Sequence, residues 1–391
     1  MIPLMKTTFF NEKSTKEALA KFILQTKQLS MGERVALFEE EFAIFQGAKH
    51  ALLVNSGGSA NLAMLQSLKN LGRLKDGDKV GFSALTWSTN VMPILQLGMQ
   101  PVPIDCDPET LNVMSSQLKQ RLSKTDLRAF FITNALGFTG DLSNIRDVCS
   151  ENNIIMIEDN CEALGTELSE GKAGNFGLMS SFSLFVAHHM STIEGGIICT
   201  NDEEIEEMLR IVRANGWDRN LRAHQQHKWR KSHGVDSEFE AKYTFYDLGY
   251  NIRPTEITGF LGQYQLKHLK DNIAIRERNY LTLEAVVKGN PDLQTLNRSH
   301  LSVLSSFAFP VLCKSPKLKK RYMDQFSGAG VEIRPMIAGN IQRQPFYKKY
   351  VSDLYQLPGA DFIHDYGFYC GNYPELSKID LEILTSCLEK Y

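Results

Sequence analysis

Ile154-Ile155-Met156-Ile157-Glu158-Asp159 is a continuous apolar run that ends in two acids. A strand that alternates apolar and polar residues shows one face to water. A strand apolar at every position is covered on both faces, which is the signature of a parallel sheet between helix layers. Working outward, similar short runs recur at Ala51–Val54, Lys79–Phe82, Val102–Asp105, Ala129–Thr133, Ser180–Phe185 and Gly196–Thr200. Helical patterns separate several of them, at Ala60–Leu71, Met114–Arg121, Ile145–Glu151 and Asp202–Arg213. This alternation predicts an α/β fold with a large, mainly parallel sheet. Ligands of such sheets bind beyond the carboxyl ends of the strands, and Asp159 stands at such an end.

Residues 214–253 lose the periodicity and carry Arg219, Arg222, Lys228, Trp229, Arg230 and Lys231, so they read as a long functional loop. Pro254 suits a first helical turn, and the pattern after it predicts one helix to about Lys288. Strands at Phe307–Leu312 and Val331–Pro335, with helices near 316–327 and 379–390, predict a smaller C-terminal α/β unit. The expected division is 1–255 and 256–391.

The 391 residues suffice for two domains, and 43% apolar with 23% charged residues is the balance of a globular chain. A net charge of −2 does not suit nucleic acid, and no apolar run reaches membrane-span length, so neither partner is expected. Seven cysteines lie scattered without a Cys-x-x-Cys pair, which fits reduced cytoplasm.

Several segments can carry chemistry. Asn55-Ser56-Gly57-Gly58-Ser59-Ala60-Asn61 follows a strand and opens a helix. Glycines admit an anion to backbone N–H groups at the positive end of a helix. The same residues also read as a plain turn with Ser59 as N-cap. Trp87 could stack on a flat ring or belong to the core. Asp159 could pair with a protonated ring nitrogen or merely end its strand, and Glu162 follows three residues on. Downstream comes Ser181-Phe182-Ser183-Leu184-Phe185-Val186-Ala187-His188-His189-Met190-Ser191-Thr192-Ile193-Glu194-Gly195-Gly196. Its histidine pair could be structural or catalytic. As a metal site it lacks clustered Cys, Asp or Glu at ligand spacing, and no metal is expected.

In order and spacing, these segments resemble the DegT/DnrJ/EryC1/StrS sugar aminotransferase family. Ala173-Gly174-Asn175-Phe176-Gly177, Arg213-Ala214-Asn215-Gly216-Trp217, Gly249-Tyr250-Asn251-Ile252-Arg253-Pro254 and Val331-Glu332-Ile333-Arg334-Pro335 extend the resemblance almost end to end. In that family a lysine six residues before the Glu-Gly-Gly holds pyridoxal phosphate covalently. Here the position is His188, which resembles the family's lysine-less 3-dehydratase branch. The resemblance implies the aspartate-aminotransferase-like fold of type I pyridoxal-phosphate enzymes, with a mixed, mainly parallel large sheet.

It also implies roles. Gly57, Gly58 and Ser183 would hold the phosphate of pyridoxal or pyridoxamine phosphate. Trp87 would stack on the ring, Asp159 would meet its nitrogen, and Glu162 would lie beside it. His188 would be the single acid/base. A cytoplasmic homodimer with a shared site would bring Asn251 and Arg253 from the second chain, Arg253 facing the carboxylate of the amine donor, L-glutamate. Lys27, Gln28, Leu29, Ser30, Arg219 and Arg334 would face the sugar nucleotide. The implied substrate is a 4-keto-6-deoxy sugar nucleotide, GDP-linked, that loses its 3-hydroxyl. The chain departs from the family at Gly58, where relatives have serine, and at Asn215, where they have a histidine tied to the amine donor. The alternatives are an aminotransferase working through another lysine, Lys172 being nearest, and a non-catalytic pyridoxal-phosphate binder. An iron–sulphur dehydratase would need clustered cysteines, and none lies between Cys199 and Cys313.

Overall fold

A computed structural model describes residues 1–390. Nine strands occupy the first half: β1 His50–Val54, β2 Lys79–Ser83, β3 Gln100–Ile104, β4 Ala129–Thr133, β5 Ile155–Asp159, β6 Glu167–Leu168, β7 Gly171–Lys172, β8 Met179–Ser183 and β9 Gly196–Thr200. Four follow: β10 Leu301–Val303, β11 Ala308–Leu312, β12 Ile333–Pro335 and β13 Gly367–Gly371.

Seven of these strands form one sheet in the order β1-β9-β8-β5-β4-β2-β3. The pairs β2–β3, β2–β4, β4–β5 and β5–β8 are parallel, while β9 runs against both neighbours. The sheet is therefore mixed and mainly parallel, as expected. β4 is buried at all five positions and β5 at its last four, because helices cover both faces. A three-stranded antiparallel sheet, β11-β13-β12, occupies the C-terminal region.

Two readings of the chain are corrected. Residues 214–253 hold helices Ala223–Ser232 and Glu238–Ala241. Tertiary contacts stabilise the first: the Trp229 indole donates to Glu207 at 3.0 Å, and Lys228 pairs with the same carboxylate. The single helix expected from Pro254 is two, Glu256–Leu266 and Leu269–Gly289, broken at Lys267–His268. Its N-cap is Thr255, so Pro254 lies outside.

Glu256, 5% exposed, binds this region to the N-terminal elements. Its carboxylate accepts from the N–H groups of Gly32, Arg34 and Val35 at 2.8, 2.9 and 3.1 Å. These begin helix Glu33–Gln46, whose N-cap, Gly32, has no side chain to do that work.

Candidate active site

The carboxyl ends of β1, β4, β5 and β8, with the segment after β2, surround a cavity of about 410 Å³. Gly57, Gly58, Trp87, Asp159, Glu162, Ser183 and His188 all line it. The sequence thus named much of its wall.

At one end the turn after β1 enters helix Gly57–Asn70. The cap is Ser56, correcting the reading of Ser59: Ser56 Oγ accepts the Ser59 N–H at 3.0 Å, and Ser56 O accepts that of Ala60. The Gly57 and Gly58 N–H groups are left to the cavity. A Cβ on Gly57 would come within 2.9 Å of Ser183 Cβ and 3.0 Å of Cys161 Sγ. Gly196 supports the same turn from below, since a Cβ on it would meet Ser56 O at 2.2 Å. Two distant glycine motifs are thus one object: a cradle of bare backbone with Ser183 beside it. Free N–H donors, a helix dipole and a hydroxyl suit a phosphate.

Deeper in, Asp159 receives three donors. Asn61 and Asn90 amides reach its Oδ2 at 3.1 and 2.7 Å, and the Cys161 N–H reaches Oδ1 at 2.9 Å. Ser181 Oγ donates to Asn61 Oδ1 at 2.6 Å and fixes that amide. A carboxylate so fixed can face a cationic ring nitrogen. Its neighbour Glu158 points away from the chemistry. It is fully buried and accepts the N–H groups of Gly174, Phe176 and Gly177 at 2.8, 2.8 and 2.7 Å. That explains the Ala-Gly-Asn-Phe-Gly motif as a backbone cage for one acid. Burial nonetheless raises the Glu158 carboxyl above its ordinary range.

The two histidines separate. His188 lines the cavity, and its Nδ1 lies 2.6 Å from Cys161 O. A carbonyl only accepts, so Nδ1 carries the proton and Nε2 keeps the lone pair. Burial outweighs that hydrogen bond and lowers the imidazole to about 4. The ring packs between Phe307 and Phe185, with centroids 5.0 and 6.4 Å away. His189 is fully buried, donates from Nε2 to Ser305 O at 2.9 Å and is held neutral by burial. It serves the core.

Among the described residues no lysine lines the cavity. Lys172 lies on β7 in the small β10-β6-β7 sheet, its Nζ over the Phe45 ring at 4.2 Å. Thr133, Cys161, Phe307, Ile337 and Tyr369 also line the wall, and nothing in the sequence marked them for the site. Tyr369 and Phe307 come from the C-terminal part of the chain, where no motif flagged them. Left-handed backbone occurs at Ile337 in the wall (φ 47), at Leu136 (φ 55), whose N–H meets Glu162, and at Ile193 (φ 72), which precedes the lining residue Glu194. Each costs about 1–3 kcal/mol, a strain that characteristically gathers at functional sites.

Other predicted residues lie on the surface. Lys27, Gln28, Leu29 and Ser30 are exposed and run beside Thr255. Arg219 is exposed with its guanidinium over Trp217 at 5.0 Å. Asn251 is exposed and accepts from half-buried Arg253 at 3.1 Å. Exposed Arg334 pairs with Glu332, and stands opposite Tyr369 across β12–β13. Within one chain none of them joins the cavity wall.

A sequence profile of the DegT/DnrJ/EryC1/StrS aminotransferase family matches residues 11–389. The chain belongs to that family. Among members of the family it is similar to a GDP-4-keto-6-deoxy-D-mannose 3-dehydratase of Escherichia coli O55:H7. The two are 35% identical over 357 residues, 90% of each chain. Two solved structures are close in shape. One is a GDP-4-keto-6-deoxymannose-3-dehydratase with a trapped PLP-glutamate geminal diamine (TM-score 0.91, 33% identity, all of both chains). The other is a histidine-to-asparagine mutant of such an enzyme with bound GDP-perosamine (TM-score 0.90, 32% identity, all of both chains). The fold is accordingly that of the family's pyridoxal-phosphate enzymes.

Proposed function

We propose that this protein is a pyridoxal-phosphate-dependent sugar-nucleotide 3-dehydratase. Its substrate is GDP-4-keto-6-deoxy-D-mannose, its amine donor L-glutamate, and its products a 4-keto-3,6-dideoxy sugar nucleotide, 2-oxoglutarate and ammonia. The observation that carries the reading is His188. It stands in a cavity with a phosphate cradle and a fixed acid, with its basic Nε2 free and no lysine beside it.

The residues present fit the cofactor. Gly57 and Gly58 N–H groups with Ser183 Oγ would hold its phosphate, Asp159 its ring nitrogen, and Trp87 and Glu162 would border the ring. Bound there, the amine form supplies the nitrogen that joins the 4-keto carbon and a ring that takes up charge as a C–H bond breaks. His188 accepts that proton at Nε2. It then returns a proton to the 3-hydroxyl, which leaves as water; hydroxide alone is a poor leaving group. A base held neutral by burial is ready for the first step at neutral pH.

Asn251, Arg253 and the nucleotide-facing residues Lys27–Ser30, Arg219 and Arg334 are assigned to a site completed by a second copy. Support comes from the exposed aromatic side chains of the cavity wall: Trp87 is 57% exposed and Phe185 42%. Arginine in a bidentate role suits the donor's carboxylate. A cytoplasmic setting agrees with seven free cysteines, six of them buried. No helix among the described residues is long and apolar enough to cross a membrane.

The test is an absorbance titration. Protein loaded with pyridoxal phosphate should convert to the amine form with L-glutamate, then release ammonia when GDP-4-keto-6-deoxymannose is added. Amino sugar without ammonia would make the protein a transaminase. No spectral change with glutamate would sink the assignment.

A further inference from the structure

Asp159 and Glu162 share one cavity but are held in different ways. Asp159 takes three N–H donors. Glu162 takes one: the Leu136 N–H reaches its Oε2 at 2.8 Å, while Oε1 accepts nothing from the described residues. No ion pair among the described residues includes Glu162. The titratable groups facing the same cavity are Asp159 and Cys161 on its own turn, His188 and Glu194 from the segment between β8 and β9, and Tyr369 from β13. None of them brings a fixed positive charge.

The single donor is placed with care. Leu136 sits in left-handed backbone (φ 55, ψ 20), unusual for a branched side chain. Neighbouring bonds hold it there: the Phe307 N–H donates to Leu136 O at 3.1 Å, and the Ala135 N–H to Asn112 Oδ1 at 3.1 Å. The strain aims one neutral N–H at one oxygen and leaves the other oxygen to the cavity.

We infer that Glu162 is a positioning residue that rests as the neutral acid and donates a hydrogen bond from its protonated oxygen to a lone pair of the bound cofactor or sugar. The inference rests on the dehydratase reading for the identity of the acceptor, but not for the protonation state. It follows from the donor count. One neutral hydrogen bond does not repay the desolvation of a carboxylate, least of all beside a second acid. Burial is the main cause that moves the carboxyl to about 7, with Asp159 adding to it and the Leu136 N–H opposing. Tyr369, pushed up to about 12 by burial first and by Glu162 second, stays a neutral phenol nearby.

Infrared spectra of the protein without substrate, compared with Glu162→Gln, test the protonation state. A carboxylic-acid C=O band present on the acid side of neutrality should vanish in the variant. In the wild type it should titrate away near 7. Turnover tests the role. Wild-type kcat should fall as pH rises through neutrality, because the donor becomes a charge. Glu162→Gln, a neutral donor at every pH, should lose that alkaline fall and keep a higher kcat than Glu162→Ala, which should lose about tenfold, the worth of one hydrogen bond. Absence of the acid band, or a Gln variant as impaired as the Ala variant, overturns the inference. A protein that shows the band but turns over no sugar would refute the dehydratase reading and leave the neutral acid standing.

Discussion

Replacing His188 with asparagine should make the fold less sensitive to acid. The wild-type imidazole is held near 4 by burial, against an ordinary value of 6.5. The unfolded chain therefore takes up a proton on this residue as pH falls through 6.5, and the folded chain does not until about 4. The stability tied to His188 is complete above 6.5 and is lost as pH drops towards 4. Its full size is 2.5 units at about 1.36 kcal/mol each, or about 3.4 kcal/mol. At about pH 5 the same linkage amounts to about 2 kcal/mol, and access of cavity water trims it to about 1–2 kcal/mol. Asparagine keeps an N–H donor for Cys161 O but has nothing to titrate. His189 remains in both proteins and cancels from the comparison. The assay is urea unfolding of wild type and His188→Asn on both sides of this window, near pH 7.5 and near pH 5. The wild type should lose about 1–2 kcal/mol more than the variant on acidification, at unchanged m-value. Equal losses would mean that His188 is not held neutral by burial, and its readiness as a base at neutral pH would lose its physical ground.

Other substitutions probe the cradle and the scaffold. Gly57→Ala places a methyl within 2.9 Å of Ser183 Cβ and 3.0 Å of Cys161 Sγ, so the turn must move. Pyridoxal-phosphate affinity, read by absorbance titration, should fall about tenfold or more while circular dichroism stays unchanged. Glu256→Ala strands the N–H groups of Gly32, Arg34 and Val35. It should cost about 2–4 kcal/mol in urea unfolding, with Glu256→Gln recovering part of the loss.

The main sheet was legible because its strands are apolar runs between turn residues. Ala129–Thr133 and Gly196–Thr200 begin and end where the sequence places them, and the others shift by a residue or two. Helix Ala223–Ser232 was not legible. Its stability comes from Glu207 and from the Trp229 ring stacked on His233 (5.5 Å between centroids), and the glutamate lies on another helix. Likewise spacing alone does not say which serine turns inward, and the structure gives the N-cap to Ser56 and not to Ser59.

For the site, the sequence by itself determined the chemistry available: a bare glycine turn, Asp159 at a strand end, and a histidine in place of a lysine. Local spacing carries these, because each belongs to a short segment leaving the sheet at the same edge. Only the tertiary structure decided which histidine is free to act, since the carbonyls that take the N–H groups of His188 and His189 belong to Cys161 and Ser305. It alone showed Glu158 turned into a backbone cage and Glu162 left with a single donor. Protonation and orientation depend on burial and on partners distant in the chain, and no local pattern of residues encodes either.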